Sequence, residues 1–436
     1  MKAGAYSPNL KAPALHALSS DDVPLHFDMD NLTDKQAQDH YLMCTLVAML
    51  QVCLIGISKP EDYIALFDGH DLPHFREILE RYHALMTQVG FDVVPQDHLI
   101  TAPAERFYET LAEKLPPVEY VNFLMMSRSN ENIHGNQEAI ARNLKLNSKY
   151  HFAQNAPGFG IPTPETLSVS PTLAGNRAVE SLFERHNGQI MLKMTGMPGG
   201  RNVVAVSSVE EADNVLAEVY PGATEVVLQQ KLDLNDYDEW TVDLLVADDA
   251  ITIDNCRHIL IADGVWVGNH MPPASPLTEQ QEAVLLKVGE YARSFGHGSP
   301  EGDNLGIDFF IGKEGDLIVT EINPRWTAGL LPSHVLKQLG KTGQHAIGYF
   351  DMVAMDLYPD YLDYVERRLP GAGERGFDVM PLGFSPFDLE VDGRNVLNVW
   401  LLVRGDFAAF RNEVRETFGP GNFPAADLIP VEALTA

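Results

Sequence analysis

Apolar and polar positions are most sharply patterned around residue 310. Residues 306–312 and 317–323 are apolar runs on either side of Lys313, Glu314, Gly315 and Asp316, a polar group with the glycine that a tight hairpin loop wants. If those four residues form the loop, Gly312 pairs with Leu317, and counting back sets Asp308 opposite Glu321 and Gly306 opposite Asn323. Side chains alternate faces along a strand. Asp308, Glu321 and Asn323 then share one face, while Ile307, Phe309, Ile311, Ile318 and Ile322 seat the other on a core. Two carboxylates directly opposite each other repel unless a cation lies between them. Two acids and an amide oxygen suit Mg2+, which takes few protein ligands and completes its shell with phosphate and water.

The rest of the chain reads as strands alternating with helices. Residues 1–25 look like a loosely attached arm. The nearly charge-free run 41–57 falls short of a comfortable membrane span and is expected as a buried helix or strand of an α/β domain. An acidic segment over 61–71 precedes a helix over 75–89, a buried strand over 118–126, a polar loop and a helix over 137–146. This order suggests an open parallel α/β unit, whose ligands bind beyond the carboxyl ends of the strands. Arg128, Asn130, Asn132 and His134 are substrate-site candidates on that ground, beside the reading of an ordinary polar loop.

From residue 147 the character changes. Asn147, Ser148 and Lys149 open a short helix that breaks over 155–160 and leads into an extended segment. Strands over 189–194 and 202–206 flank a glycine-rich turn. Lys193 on the first strand, beside Gly199 and Gly200 in the turn, suits phosphate, since glycines let backbone N–H groups approach oxygen while the lysine supplies a point charge. Further strands are expected over 225–231, from Glu239, over 250–255 and over 258–261, then a helix over 277–295. Beyond residue 345 a strand over 396–403, a helix over 406–418 and a surface-wrapping tail complete the pattern.

Composition narrows the function. The 436 residues suffice for two or three domains, and 31 basic against 61 acidic side chains give a net charge of −30. Such a surface repels nucleic acid and anionic membrane, so an anionic nucleotide must be met by a local basic cluster. Three cysteines without a CxxC pair suggest neither a disulfide framework nor a zinc site, and fit a reducing cytoplasm.

The order Asp308, Glu321, Asn323, Pro324, Arg325 resembles the metal-binding signature of the ATP-grasp superfamily, which includes the D-alanine–D-alanine ligases. The resemblance covers residues 147–345. It implies an α/β protein with an N-terminal open α/β domain over 1–146 and an α+β ATP-grasp domain over 147–345. The lid would span about 166–225 and the metal-binding part about 226–345, with a C-terminal α/β extension over 346–436. By the same resemblance Asp308, Glu321 and Asn323 hold one or two Mg2+ ions, replaceable by Mn2+, that bridge the phosphates of ATP. Lys149 reaches the inner phosphates, and Lys193 with Gly199 and Gly200 belongs to the lid. Gln229, Gln230, Lys231 and Leu232 form the hinge whose backbone meets adenine, with glutamine where the family often has glutamate, and Glu239 holds the ribose. Arg257 reaches the outer phosphate or an acyl phosphate, and Arg325 clamps the substrate carboxylate or the acyl phosphate. His270, before a Pro-Pro turn, reads as structural.

The implied reaction phosphorylates a carboxylate and lets an amine attack the acyl phosphate, giving an amide, ADP and phosphate. The layout is similar to stand-alone amino-acid and peptide ligases, which would make both substrates small molecules of amino-acid type and leaves a homodimer open. A phosphotransferase of the same fold and a non-catalytic ATP-binding module are the rivals, and the intact Asp308, Glu321 and Asn323 set argues against the second.

Overall fold

The computed structural model describes residues 2–5, 7, 10–194, 203–219, 226–262, 265–341, 343–371 and 376–430, and its strands form three sheets. The first holds β1 (Lys2–Ala5), β2 (Ala14–His16), β3 (Tyr63–Phe67), β4 (Leu99–Ala102) and β5 (Tyr120–Phe123), all parallel, in the order β1-β5-β2-β3-β4. The expected arm is therefore part of the sheet. Three-residue β2 pairs with β5 on one side and β3 on the other, and Leu15, Ala17 and Leu18 are fully buried. A strand that short is below the length at which alternation shows. The 41–57 run lies in the helix Asp34–Ile57, opened by a capping box between Thr33 and Gln36. Apolar nearly all round, that helix is buried in the protein core, from Val47 to Ile55 almost without a break.

The second sheet is antiparallel, β6 (Thr166–Val169), β7 (Ile190–Met194), β8 (Val203–Val206) and β9 (Val226–Gln230), in the order β6-β9-β7-β8. It has its own small core, built from Leu182, Ile190, Leu192, Leu216 and Leu228 among others. Gly199 and Gly200 lie outside the described residues.

The third sheet has nine strands: β10 (Tyr237–Val246), β11 (Ile251–Ala262), β12 (Val265–Met271), β13 (Asp303–Gly312), β14 (Leu317–Asn323), β15 (Ala346–Ala354), β16 (Phe377–Phe384), β17 (Leu389–Val391) and β18 (Arg394–Gly405). Their order is β14-β13-β10-β11-β12-β15-β18-β16, with β17 on β18. Two expected strands, 250–255 and 258–261, are the single strand β11, which bulges where it passes Asp243 and Leu244 of β10. The segment expected as a C-terminal extension continues this sheet through β15, β18 and β16, because its apolar faces share one core with the first sheet. Tyr82 and Tyr361 join hydroxyls across that core at 2.8 Å. The tail is tied in rather than wrapped on: Asp351 accepts the amides of Ala425 (3.1 Å) and Ala426 (3.0 Å), and Phe423 and Ile429 are buried.

The hairpin β13–β14 departs from its expected loop and still reaches its expected register. Ile311, not Gly312, pairs with Leu317, so the turn is one residue longer on the β13 side, closed by Gly312 N–H to Asp316 O at 2.8 Å with Gly315 at φ +87°. Thr320 then bulges out of the ladder, restoring Asp308 opposite Glu321 and Gly306 opposite Asn323. The bulge also exchanges faces beyond it. Leu317 and Val319 enter the core with Ile307, Phe309 and Ile322, and Ile318 turns away with Phe310.

The contact between the helix Asp34–Ile57 and β16 is tight enough to test. A Cβ on Gly383 would lie 2.1 Å from the Met49 carbonyl oxygen. Gly383→Ala should therefore destabilise the protein by about 1–3 kcal/mol. Gly158→Ala, where a Cβ meets nothing within 4 Å, should stay within about 0.5 kcal/mol of the parent. Urea unfolding of the two variants decides it; equal midpoints would mean the helix does not press on β16.

Candidate active site

Across β10, β13 and β14 the large sheet has one apolar and one ionisable face. On β10 Glu239, Thr241 and Asp243 alternate with Trp240 and Val242, and Thr241 is paired with Arg257 of β11 and Asp308 of β13. Asp308 in turn faces Glu321, and Gly306 faces Asn323. Glu239, Thr241, Asp243, Arg257, Asp308, Glu321 and Asn323 are thus brought to one side, while Val242, Leu244, Ile307 and Phe309 are packed into the core on the other.

Lysines from two other parts of the chain converge on this face. Lys149, in the first turn of the helix Lys149–Asn155 that Ser148 caps, places Nζ 2.7 Å from Glu321 Oε1. Lys193 on β7 is 8% exposed and donates from Nζ to Gln229 Oε1 at 2.5 Å, while the Gln229 amide donates to Thr166 Oγ1 at 2.9 Å. Asn323 Nδ2 donates to Asp308 Oδ2 at 3.2 Å, and Arg325 donates from Nη2 to Asn323 Oδ1 at 3.3 Å. Burial, then the Glu321 charge, pushes the Asp308 carboxyl above its ordinary range. For Glu321 burial alone would do the same, but Lys149 and Lys193 outweigh it and hold the group low. Burial and the Lys149 charge bring Lys193 down to about 8, and burial with Asp308 pushes Glu239 up to about 7. All four shifts describe a desolvated cluster of carboxylates whose charges need cations. The paired carboxylates and the Asn323 oxygen form a donor set that fits a small divalent cation drawing its other ligands from phosphate and water.

Other candidates are placed differently. Arg257 is wholly buried, paired with Asp243 at 2.6 Å and bonded to Asn255 and to Thr327 Oγ1. Protein partners surround its guanidinium, Nε is left without a hydrogen bond, and its charge acts on Asp308. In the expected hinge the amides of Gln230 and Lys231 are engaged by the carbonyls of Glu165 and Gln189, both at 2.9 Å, and Leu232 is buried. Asn130 braces its own loop through Ser127 N–H and Met125 O, Asn132 bonds Tyr108 O, and His134 lies 3.3 Å from Ser127 O. Arg128 is exposed. His270 is buried against His345 with ring nitrogens 2.9 Å apart, and burial takes it down to about 4.

No protein-family model matches the sequence, and no curated protein matches it. Solved structures do. N5-carboxyaminoimidazole synthetase from Staphylococcus aureus is 12% identical, with a TM-score of 0.52 over 96% of this chain and 100% of that one. Its complex with ADP gives 11% and 0.53 over 96% and 98%. The biotin carboxylase domain of the Hydrogenobacter thermophilus 2-oxoglutarate carboxylase, solved with MgADP, ADP and bicarbonate, gives 12% and 0.50 over 93% and 89%. The chain has the ATP-grasp fold.

Within this ATP-grasp fold, two residues of the polar face, Asp243 and Thr327, and the side-chain role of Gln229 were not expected from the sequence. Asp243 and Thr327 lie with Arg257 on the polar face, and Gln229 meets Lys193 through its side chain. Asp243 was within reach, since Glu239, Thr241 and Asp243 show the polar alternation that marked the hairpin. Thr327 carries no such signal, and Gln229 was expected for its backbone rather than for its side chain.

Glu239 gives a signed pH dependence. Its pKa is about 7 in the fold against an ordinary 4.5, so between those values the folded state holds a proton that the unfolded state has released. The fold therefore loses stability as pH rises through that window. Glu239→Gln should raise the thermal midpoint of the ligand-free protein clearly at pH 8 and much less at pH 5. The same increment at both pH values would mean that this carboxyl is not strained.

Proposed function

We propose that the protein is an ATP-dependent ligase that activates a carboxylate as an acyl phosphate and joins it to an amine, with ADP and phosphate as the other products. One observation carries the reading: paired carboxylates on a hairpin, with two lysines from separate segments converging on them, inside an ATP-grasp fold. Two of the structurally similar proteins were solved with ADP, one of them as its magnesium salt, which supports a nucleotide and Mg2+ at the corresponding face. The acid and amine are of amino-acid or peptide type in this reading, supported by the resemblance in layout.

Each side chain then has a task that charge and place allow. Lys149 and Lys193 neutralise phosphate oxygens, with Lys193 carried by the separately cored antiparallel sheet that acts as the lid. Asp308, Glu321 and Asn323 hold the metal, which when bound neutralises and orients the phosphates. Lys149, which pairs with Glu321 in the ligand-free protein, would turn its charge to phosphate when a metal is held by that carboxylate. Glu239 accepts the ribose hydroxyls, and the strand end at 229–232 lies along the base. Arg325 offers a planar, permanently charged fork to the substrate carboxylate. A side-chain nucleophile is not required, because positioning and charge neutralisation suffice. All three cysteines are free thiols, in keeping with a reducing cytoplasm.

The reaction itself can be traced by isotope. Expelling phosphate from an acyl phosphate removes one oxygen of the original carboxylate, so with 18O in the acid the released phosphate should carry label in step with amide formation, and ADP should accumulate. AMP with pyrophosphate would replace this mechanism by adenylation. A stable phosphorylated product without free phosphate would favour a phosphotransferase. Asp308→Asn and Glu321→Gln should each fold and lose turnover by about 100-fold or more, since each removes a charge that holds metal against phosphate. Near-parent rates at saturating Mg2+ would take the hairpin out of the site.

A further inference from the structure

Between the hairpin and the helix Leu330–Gln338, residues 324–329 cross the polar face of the large sheet in contact with it. Two glycines make the approach possible. A Cβ on Gly306 would lie 2.2 Å from Thr327 Cγ2, and one on Gly329 would lie 2.4 Å from Asn269 Oδ1 and 2.7 Å from Arg257 Nε. The span rests on the buried ion pair, Arg257 Nη2 to Asp243 Oδ2 at 2.6 Å, with both side chains wholly inaccessible. Thr327 Oγ1 accepts from Arg257 Nη2 at 3.0 Å and lies 3.3 Å from each Asp243 oxygen, to which it donates. The Asn304 amide, turned with its nitrogen toward the acceptors, donates to Asp243 Oδ1 at 2.8 Å and to the Arg325 carbonyl at 3.0 Å. Gly306 N–H reaches the same carbonyl at 3.3 Å.

A buried ion pair adds little net stability, because desolvating both charges offsets their attraction. Its partners here show what it fixes. Both charges are shared with Thr327, and the Asp243 side is linked through Asn304 to the backbone of Arg325. We propose that Thr327, braced by Asp243 and Arg257 with Asn304 alongside, is a positioning residue that holds the 324–329 span and so aims Arg325 at the acid substrate. Its loss should fall on the acid more than on the nucleotide, since Lys149, Lys193 and Glu239 stand on other segments and Asn323 is held by the β13–β14 ladder. The inference rests on the reading of Arg325 as the partner of the substrate carboxylate.

Thr327→Val keeps the shape and removes the hydroxyl; Thr327→Ser keeps the hydroxyl. Two measurements separate the clamp from the ligase reading. The first is trypsin cleavage after Arg325, which needs no substrate: the valine variant should be cut about tenfold faster than the parent and the serine variant at nearly the parent rate. The second is the split between substrates. In the valine variant kcat/KM for the acid should fall about 10–100-fold, as expected for losing hydrogen bonds to charged groups, with the Kd for MgATP within about twofold. Asn304→Ala, which releases the Arg325 carbonyl from the other side, should show the same pattern and serves if the valine variant folds poorly. Unchanged cleavage in both variants overturns the clamp, as does a serine variant as impaired as valine or a loss of ATP affinity equal to the loss in kcat/KM. If the parent releases no ADP with any acid–amine pair, the ligase reading fails, while the cleavage rates still decide the clamp.

Discussion

The arrangement depends on one electrostatic constraint, the need of desolvated carboxylates on a sheet face for positive charge. Asp308 and Glu321 stand opposite each other with Glu239 nearby, and burial by itself would drive all three toward their neutral forms. Lys149 answers for Glu321 at 2.7 Å, and Lys193 adds its field from the second sheet. Those lysines are 44 positions apart in a chain with a net charge of −30, so their meeting here offsets, at one point, the excess of acidic groups.

The sheet makes this possible by having two unlike faces. Ile307, Phe309, Leu317, Val319 and Ile322 bury the reverse of the hairpin, and that burial holds the polar side chains in register against their mutual repulsion. Farther along, β15, β18 and β16 share a core with the parallel sheet through the helix Asp34–Ile57. The antiparallel sheet β6–β9 has a core of its own, separate from that of the hairpin.

Two arginines show how differently a fold can use the same residue type. Arg257 is enclosed with Asp243 beneath the 324–329 span, whereas Arg325, at the start of that span, is half-buried and reaches back to Asn323. Position relative to the sheet separates a wholly enclosed guanidinium from a partly exposed one. Residue type alone does not make that distinction.

Local periodicity determined much of this protein. The helices near 75–89, 137–146 and 277–295, the β13–β14 pairing and the shared face of Asp308, Glu321 and Asn323 follow from alternation and spacing within a few residues. The register came out as expected although the turn is longer, because the Thr320 bulge restored it; apolar faces select the pairing, and the loop adapts. Tertiary structure decided what no local pattern carries. It made β2 a central strand from three residues, merged the segment beyond 345 into the large sheet, buried the tail under Asp351, and set Asp243, Arg257 and Thr327 together. Each of those outcomes depends on which distant surfaces must be removed from water together, and a chain read a few residues at a time holds no record of that.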